Sequence, residues 1–545
     1  MTGFDWTIVL VLNGAIIAYG IYLSRGTHTS SELFLGSRTL PWWAVGMSMF
    51  ATNVDNADLV GVTGMTYTDG LHVLSVYAIG SCVGGILAAF FVVPKIYRAG
   101  FYTNAEYLEA RFGPTARAMS ALIQIQYRTS MLGVMINSAH LLLVGLVRMP
   151  SAAAWGLILV LVVLAGLYTA WGGLRSVVWT DVLQGLVMIA AAIVIFVAIW
   201  NVVGGWSGMS AALARQGQSD LLHLGRFRGE QGEASPWLVV LGWTIIGAGY
   251  WTVNHTQTMR LMGSRSIWDM KLAAVWGVGI SMPILIVSAL LGVFAHAIPE
   301  IQAVDQPDQV YPMLADAYLT VGLKGLVVAG LVAAVVSTID SMGSALSALF
   351  TRDVYARFLV TNQSDDHYVL VGRWATVGVF ALGFSYLPFI WKQETMLKAF
   401  TTLVPVFVTP LFTMYLLGVL TPVHRRSGLI GLFAGSLYGV LALCDRVFWN
   451  IEWIPLWLSN QWAALLWSML ITALTMGLLT CLWGTYRGDE STWQEGHGWL
   501  QRSREELPPL AEHPFSGNIP WYAQPSLAAI GLLLLASYVN FVLFW

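Results

Sequence analysis

The sequence predicts an all-α polytopic membrane protein with about 14 transmembrane helices. Of its 545 residues, 57% are hydrophobic and only 10% are charged, whereas soluble domains average about 25% charged residues. The mean hydropathy is +0.67, and the apolar residues are gathered into stretches close to the roughly 20 residues that cross a bilayer. Composition and segment length therefore both indicate a chain whose surroundings are the lipid bilayer.

The positions of lysine and arginine predict how the chain is oriented. If the N-terminus lies outside, the inward loops carry eighteen Lys and Arg residues and the outward segments carry eight. Cytoplasmic loops carry the excess of these residues, so both termini are predicted to lie outside a cell (inner) membrane. The first apolar run lacks the features of a cleaved signal peptide and is read as a retained span. The predicted spans are 4–23, 41–65, 71–94, 117–147, 152–170, 175–203, 236–262, 267–298, 324–359, 367–391, 395–421, 426–444, 461–483 and 524–544.

Several classes of protein are disfavoured by the same composition. The net charge of −2 lacks the basic excess that a nucleic-acid partner requires. The three cysteines are far apart within apolar segments, which argues against a disulfide framework or a zinc site. We find no nucleophile–base pair, zinc-protease motif or phosphate-binding glycine loop, so an enzyme is not expected. Nothing in the sequence indicates an obligatory protein partner.

The second predicted span contains an unusual cluster of polar residues. Asn53, Asp55, Asn56 and Asp58 lie in the middle of the apolar segment 44–64. One carboxylate at the centre of a membrane helix costs about 2.5–3.5 kcal/mol on insertion scales. Irregular backbone at that depth is tolerated where it is buried in protein or lines a wet cavity. We therefore predict a helix broken at this point, with a solute and an ion bound beside the break.

A second interrupted segment occurs five spans later. The span 236–262 contains Gly247, Ala248 and Gly249, which we predict to break it. Paired interruptions in two five-span halves are typical of transporters built from an inverted repeat. The fold prediction is therefore a 5+5 inverted repeat in which the first helix of each repeat is broken.

Hydroxyl and carboxyl groups in the span 324–359 indicate an ion site. Ser337, Asp340 and Ser341 share one helix face, and Thr338 is one position round from it. Hard cations prefer oxygen ligands, and the predicted break at 51–54 would free carbonyl oxygens nearby. The alternative is that Ser337 and Thr338 bond carbonyls of their own helix. Proton coupling is also open, because Asp58, Asp181 and Asp340 can each carry a proton.

Three stretches of the chain resemble one transporter family. The run from Tyr168 to Gln184, YTAWGGLRSVVWTDVLQ, closely resembles the signature of the sodium:solute symporter family. The run from Leu40 to Gly46, LPWWAVG, and the Ser337–Thr338 span ending TRDVY at 351–355 are also similar to that family. The resemblance runs in order from about residue 5 to about residue 440 and is weaker over the last spans.

The resemblance implies a leucine-transporter-type fold and a conserved Na⁺ site. It implies a leading helix and linker at 1–40, repeat one at 41–203, an external loop at 204–235, repeat two at 236–421 and accessory helices at 422–545. The implied Na⁺ ligands are the carbonyls of Ala51, Val54 and Ala334 and the hydroxyls of Ser337 and Thr338.

Three further residues follow from the resemblance. Asp181 corresponds to the family's signature acid on the ion exit path. Asp340 and Ser341 stand where some members bind a second cation. The alternative for Asp340 is an ion pair with a basic group such as Arg175.

The resemblance also places the solute site between the two broken helices. Asp58, Tyr77, Gly247 and Gly279 align with the Gln, Glu, Asn and Lys that bind sugar in the sodium/galactose members. All four differ, which speaks against sugar transport. Acidic and aromatic residues together suit an amine, through ion pairing and cation–π attraction. The candidate solute-binding residues are Asp55, Asp58, Tyr77, Tyr250, Trp251 and Asn254.

Each candidate also has a purely structural interpretation. Asp55 is equally well placed to cap the restarted half-helix, and the aromatic residues to pack between helices. Arg128, in the fourth predicted span, is expected to pair with an acid inside the bundle. The function predicted from these features is Na⁺-coupled symport of a small organic solute, amine-bearing or zwitterionic, by alternating access. The alternatives are a proton-coupled transporter and a ligand sensor that retains the transporter fold.

Overall fold

A computed structural model describes residues 1–25, 29–227, 234–301, 304, 306–391, 403–448, 453–486, 511–515 and 518–545. The start of the predicted span 395–421 and most of the loop after residue 486 lie outside these residues. The first helices are α1 Gly3–Leu23, α2 Ser30–Leu35, α3 Trp42–Asn53, α4 Asn56–Asp69, α5 Leu71–Arg98, α6 Asn104–Phe112 and α7 Pro114–Gly145. They are followed by α8 Ser151–Val202, α9 Gly205–Gln216, α10 Pro236–Val253, α11 His255–Met262, α12 Ile267–Ala295 and α13 Val310–Tyr318. The last are α14 Leu323–Leu359, α15 Asp365–Ile390, α16 Val404–Leu420, α17 Ser427–Arg446, α18 Gln461–Trp483 and α19 Pro525–Leu543.

The helical membrane architecture predicted from the sequence is confirmed at a coarse level. Among the described residues, 10 helices are long and apolar enough to cross a bilayer. The number is below the predicted 14 partly because the first interrupted segment is divided between α3 and α4 and because α8 covers two predicted spans. Gly173 separates those two spans, since its φ of 57° and ψ of −158° interrupt the helix between 152–170 and 175–203.

The core of the bundle is formed around α14. In the most apolar part of this helix 94% of the residues are buried, and its largest packing partner is α8. Helix α3 packs against both α8 and α12. The start of α3 is joined to the end of α11, because the Leu40 N–H donates to the Gly263 carbonyl and the Arg265 N–H donates to the Leu40 carbonyl. The two interrupted segments therefore lie beside each other.

The second interruption is not where the sequence predicts it. Helix α10 continues through Gly247, Ala248 and Gly249, and the chain leaves helical geometry at Asn254, with φ −65° and ψ 109°. The prediction of a break at the glycines is wrong because they serve close packing instead. A Cβ on Gly247 would lie 2.4 Å from the backbone carbon of Gly80 in α5. Side chains at this crossing would force the two helices apart.

Candidate functional site

The first predicted break is confirmed between α3 and α4. Val54 and Asp55 are extended, with φ −102° and −107°, and α4 restarts at Asn56. Asp55 accepts a hydrogen bond from the Asp58 N–H at 2.9 Å, and Asp58 accepts one from the Asp55 N–H at 3.4 Å. This reciprocal capping box satisfies donors at the start of α4. The structural interpretation of Asp55 is therefore confirmed, and Asp58 shares in it.

The break leaves carbonyl oxygens at the end of α3 without helical donors. Val54 is the last residue to donate into this helix, to the Phe50 carbonyl at 3.0 Å. The next N–H in the chain, that of Asp55, turns to the Asp58 carboxylate. Within the described residues, the carbonyls of Ala51 and Val54 therefore lack the donors that a continuous helix would supply, and both residues are completely buried.

The hydroxyls predicted to bind an ion lie on the central helix α14. Ser337 and Thr338 are both completely buried. Ser337 donates to Asp181 at 2.5 Å, and Thr338 donates to the Ala334 carbonyl at 3.0 Å. Four residues beyond Ser337, the hydroxyl of Ser341 lies 2.9 Å from that of Thr52 in α3. The broken helix is therefore in direct contact with the hydroxyl-bearing face of α14.

Asp181 lies in a buried cluster with an arginine that the sequence interpretation missed. Arg260 approaches the Asp181 carboxylate at 3.0 Å, and both side chains are completely buried. Ser48 in α3 links the two, because it donates to Asp181 at 2.5 Å and accepts from Arg260 at 2.7 Å. Helices α3, α8, α11 and α14 thus meet at one charged cluster.

The sequence-based orientation counted Arg260 among the eighteen inward basic residues, although it lies near the end of the predicted span 236–262. Its buried contacts were not predicted. Arg260 lies within α11, the short helix that follows the second interruption. The sequence does contain a signal for a buried Arg260, since it lies six residues after Asn254. The first turns of a helix that restarts inside a bundle lie among buried groups.

Asp340 has a different partner from the one considered. It accepts a hydrogen bond from the Tyr168 hydroxyl in α8, and Ser341 lies 3.2 Å from its other oxygen. Arg175 is exposed, so the alternative of an Asp340–Arg175 ion pair is wrong. Arg260 also donates to the Ser341 hydroxyl. Asp181 and Asp340 therefore share the neighbourhood of one guanidinium.

A cavity of about 80 Å³ opens beside the first break. Four of the six candidate solute-binding residues line it: Asp55, Asp58, Tyr77 and Tyr250. The Tyr77 hydroxyl donates to the second carboxylate oxygen of Asp58 at 2.8 Å. The remaining wall is largely apolar and includes Val76, Met131, Val134, Met135, Trp243 and Ile246.

The other two candidates do not line this cavity. Trp251 is completely buried, and its Cβ packs against Gly84 in α5. Asn254 caps α11, where its side chain accepts from the Thr256 N–H at 3.1 Å. Of the positions aligned with sugar-binding residues, Gly247 lines the cavity, whereas Gly279 is not in its lining and lies nearest to Leu532 of α19.

Arg128 contributes a cation to the same cavity. It is 2% exposed, and its guanidinium lies 5.6 Å from the ring centre of Tyr250. The sequence predicts an ion pair for it, but no acid among the described residues comes within 4.0 Å of its nitrogens. A direct ion pair is therefore absent within this part of the chain, but the Arg128 charge interacts with Asp55 and Asp58 across the cavity that all three line.

The chain is similar to known membrane transporters. The model of the sodium:solute symporter family matches residues 33–439, a range that includes both interruptions, the Asp181 cluster and the hydroxyls of α14. The chain belongs to the sodium:solute symporter family. A sodium/glucose cotransporter of Vibrio parahaemolyticus is 26% identical over 86% of this chain and 90% of its own length. A sodium/sialic acid symporter of Proteus mirabilis is 24% identical over 80% of this chain and 89% of its own length.

Solved structures give the same fold. A Na⁺-coupled sialic acid symporter in a substrate-bound, outward-open state superimposes with a TM-score of 0.77 at 18% identity, over 90% of this chain and all of that one. The nucleobase-cation symporter Mhp1, closed around bromovinylhydantoin, gives a TM-score of 0.53 at 12% identity. Membership of the sodium:solute symporter family supports Na⁺-coupled symport of a small molecule across a membrane, and not enzymatic catalysis.

Proposed function

We propose that the protein is a secondary active transporter in which inward Na⁺ flow drives the uptake of a small, amine-bearing organic solute. The observation that carries the proposal is the dual role of the break between α3 and α4. Thr52, which lies between Ala51 and Val54 at the end of α3, contacts Ser341 of α14 at 2.9 Å. Asp58, on the other side of the break, lines the cavity. One interruption thus serves an ion and a solute together.

The proposed Na⁺ ligands are the carbonyls of Ala51, Val54 and Ala334 and the hydroxyls of Ser337 and Thr338. All five residues are completely buried, and their oxygens are of the type that hard cations prefer. Thr338 donates to the Ala334 carbonyl of its own helix, which is the structural alternative given for it from the sequence. This bond uses the hydroxyl proton and leaves oxygen lone pairs on both groups for an ion.

A second cation is proposed between Asp181 and Asp340, near Ser341. The two acids have one arginine between them, Arg260. With both acids ionised the group carries one excess negative charge, and a buried uncompensated charge is costly. A bound cation would remove that excess, and Asp181 would lie on its exit path.

The proposed architecture follows the expectations from sequence. A leading helix and linker at 1–40 precede repeat one at 41–203, an external loop at 204–235, repeat two at 236–421 and accessory helices at 422–545. The link between the start of α3 and the end of α11 supports an inverted relation of the two repeats. We propose a location in the inner membrane with both termini outside.

Alternating access gives the proposed mechanism. Binding of Na⁺ at the break and of solute in the adjoining cavity would stabilise a state in which the bundle rocks against its scaffold. A membrane potential of 100 mV would add about 2.3 kcal/mol for each charge carried inward.

Uptake into proteoliposomes tests this function. We expect at least one member of a labelled panel of amines, amino acids and sugars to accumulate when Na⁺ is present outside only, and an inside-negative potential to increase the accumulation. Equal concentrations of K⁺ or choline should leave uptake at the level of protein-free liposomes. Accumulation driven by an inward proton gradient in the absence of Na⁺ would contradict the proposal and assign coupling to Asp58, Asp181 or Asp340.

A further inference from the structure

Arg128 is a buried cation that faces the cavity without an ion-pair partner among the described residues. Its Nε has no hydrogen-bond acceptor within the described part of the chain. Its guanidinium lies 5.6 Å from the ring centre of Tyr250 and 5.9 Å from that of Tyr127. Its charge acts on Asp55 and Asp58 across the cavity, but neither carboxylate is in direct contact with the guanidinium. An anionic group that entered the cavity could therefore make a direct, charge-assisted contact with Arg128.

The two carboxylates of the cavity are not equivalent. One oxygen of Asp55 is occupied by the Asp58 N–H at the start of α4, where the helix dipole supplies partial positive charge. Asp58 lies in the same first turn and accepts from the Asp55 N–H at 3.4 Å, but its other oxygen is also held from α5 by the Tyr77 hydroxyl at 2.8 Å. Asp58 is therefore the carboxylate that is bound to two walls of the cavity, and Arg128 is the cation that faces it.

The positions of these groups favour a solute with charges of both signs. Asp58 lies on α4 and Arg128 on α7, and both line the one cavity with Tyr250. A neutral sugar would bring no opposite charge into contact with either group. A simple amine would satisfy Asp58 alone, and a simple acid would satisfy Arg128 alone. Charge-assisted hydrogen bonds to both groups require one molecule that carries an anion and a cation.

We propose that the cavity binds a zwitterion, with its carboxylate on Arg128 and its ammonium group on Asp58 beside the Tyr77 and Tyr250 rings. This inference rests on the proposed transport function and specifies its solute class as amino acids and related compounds that carry both charges. The guanidinium offers two parallel N–H donors to a carboxylate, which a lysine cannot reproduce.

The first test is binding to the purified protein, measured by thermal stabilisation and calorimetry in NaCl. The probes are the twenty common amino acids, glycine betaine, choline, D-glucose and N-acetylneuraminate. We expect the tightest ligand to carry a carboxylate and a cationic nitrogen. Its decarboxylated and deaminated analogues should each bind at least about 10-fold more weakly, the loss expected for one hydrogen bond to a charged group. Tightest binding of choline, glucose or N-acetylneuraminate, or no binding of any zwitterion, would overturn the proposal.

Variants of Arg128 provide the second test. R128Q should weaken the zwitterion about 10- to 100-fold and change the affinity of its decarboxylated analogue by less than about threefold. R128K, which keeps the charge, should lose less affinity than R128Q. R148Q is the matched control, because Arg148 is 78% exposed and pairs with Asp316 outside the cavity. Equal weakening of both ligands by R128Q would overturn the assignment.

Na⁺ titration without solute separates the two proposals. R128Q should retain the stabilisation by Na⁺ seen in the unmodified protein, which also shows that the variant is folded. Absence of a Na⁺ response in the unmodified protein would refute Na⁺ coupling. The preference for zwitterions is measured at equal concentrations of NaCl and KCl. A zwitterion that binds most tightly in either salt supports the assignment of Arg128 and Asp58, whichever ion drives transport. Absence of that preference in both salts refutes the assignment.

Discussion

Replacing Arg260 by glutamine is expected to destabilise the protein by about 3–5 kcal/mol, the usual cost of removing one partner from a buried ion pair. The substitution leaves the Asp181 carboxylate completely buried without its cation. It also removes the donor that holds Ser48 of α3 at 2.7 Å and the donor to Ser341 of α14. The measurement is denaturant unfolding of the purified protein in detergent, followed by tryptophan fluorescence.

A double variant separates the ion pair from general disruption. Adding D181N to R260Q removes the unpaired carboxylate, so the double variant should recover part of the lost stability. R226Q is the control, because Arg226 and Asp220 form an ion pair in which both side chains are more than half exposed. It should cost at most about 1 kcal/mol. A double variant that is less stable than R260Q would contradict the assigned pairing.

Replacing Arg117 by methionine is the second change with a large expected effect. This completely buried arginine binds three carboxylates, Asp353 at 2.6 Å, Glu109 at 2.8 Å and Glu106 at 3.2 Å. Burial favours neutral Glu109, but hydrogen bonds from Arg357 and Arg117 hold the pKa of Glu109 below its ordinary value. R117M would leave several acids of this cluster short of a cation, at a cost of about 3–5 kcal/mol or more.

The Arg117 cluster joins the two halves of the chain at one end of the bundle. Glu106 and Glu109 lie on α6, and Asp353 lies on the last segment of α14. R98Q is the control, since Arg98 binds Glu512 in an ion pair with about half of each side chain exposed. Denaturant unfolding should separate R117M clearly from R98Q. Equal stability of the two variants would show that the buried cluster does not hold these helices together.

The break at α3–α4 was predictable because its signal is local. Two carboxylates and two amides in an apolar segment carry a large insertion cost wherever the helix packs. The second break was misplaced because glycine in a membrane helix has two uses. Gly247 serves the close crossing with Gly80, whereas Asn254 ends the helix and caps the next one. Sequence spacing does not distinguish a glycine that breaks a helix from one that packs.

The cavity lining was predictable only in part. Tyr250 and Trp251 are neighbours in sequence, yet Tyr250 lines the cavity and Trp251 packs against α5. Adjacent residues point about 100° apart on a helix, and the rotation of α10 is set by its neighbours. Arg128 and Arg260 were misjudged for the same reason, since charge pairing across helices depends on tertiary packing.

The central claim is that Ser337 and Thr338 bind Na⁺ together with the carbonyls of the broken helix. The most direct measurement is the melting temperature of the purified protein in NaCl and in KCl, without solute. Na⁺ at about 100 times its dissociation constant should stabilise the native state by about 2.7 kcal/mol. S337A and T338A should lose that response. S347A should keep it, because the Ser347 hydroxyl bonds only to the Ser344 carbonyl of its own helix among the described residues. Equal melting temperatures in NaCl and KCl, or a full Na⁺ response in S337A and T338A, would contradict the account.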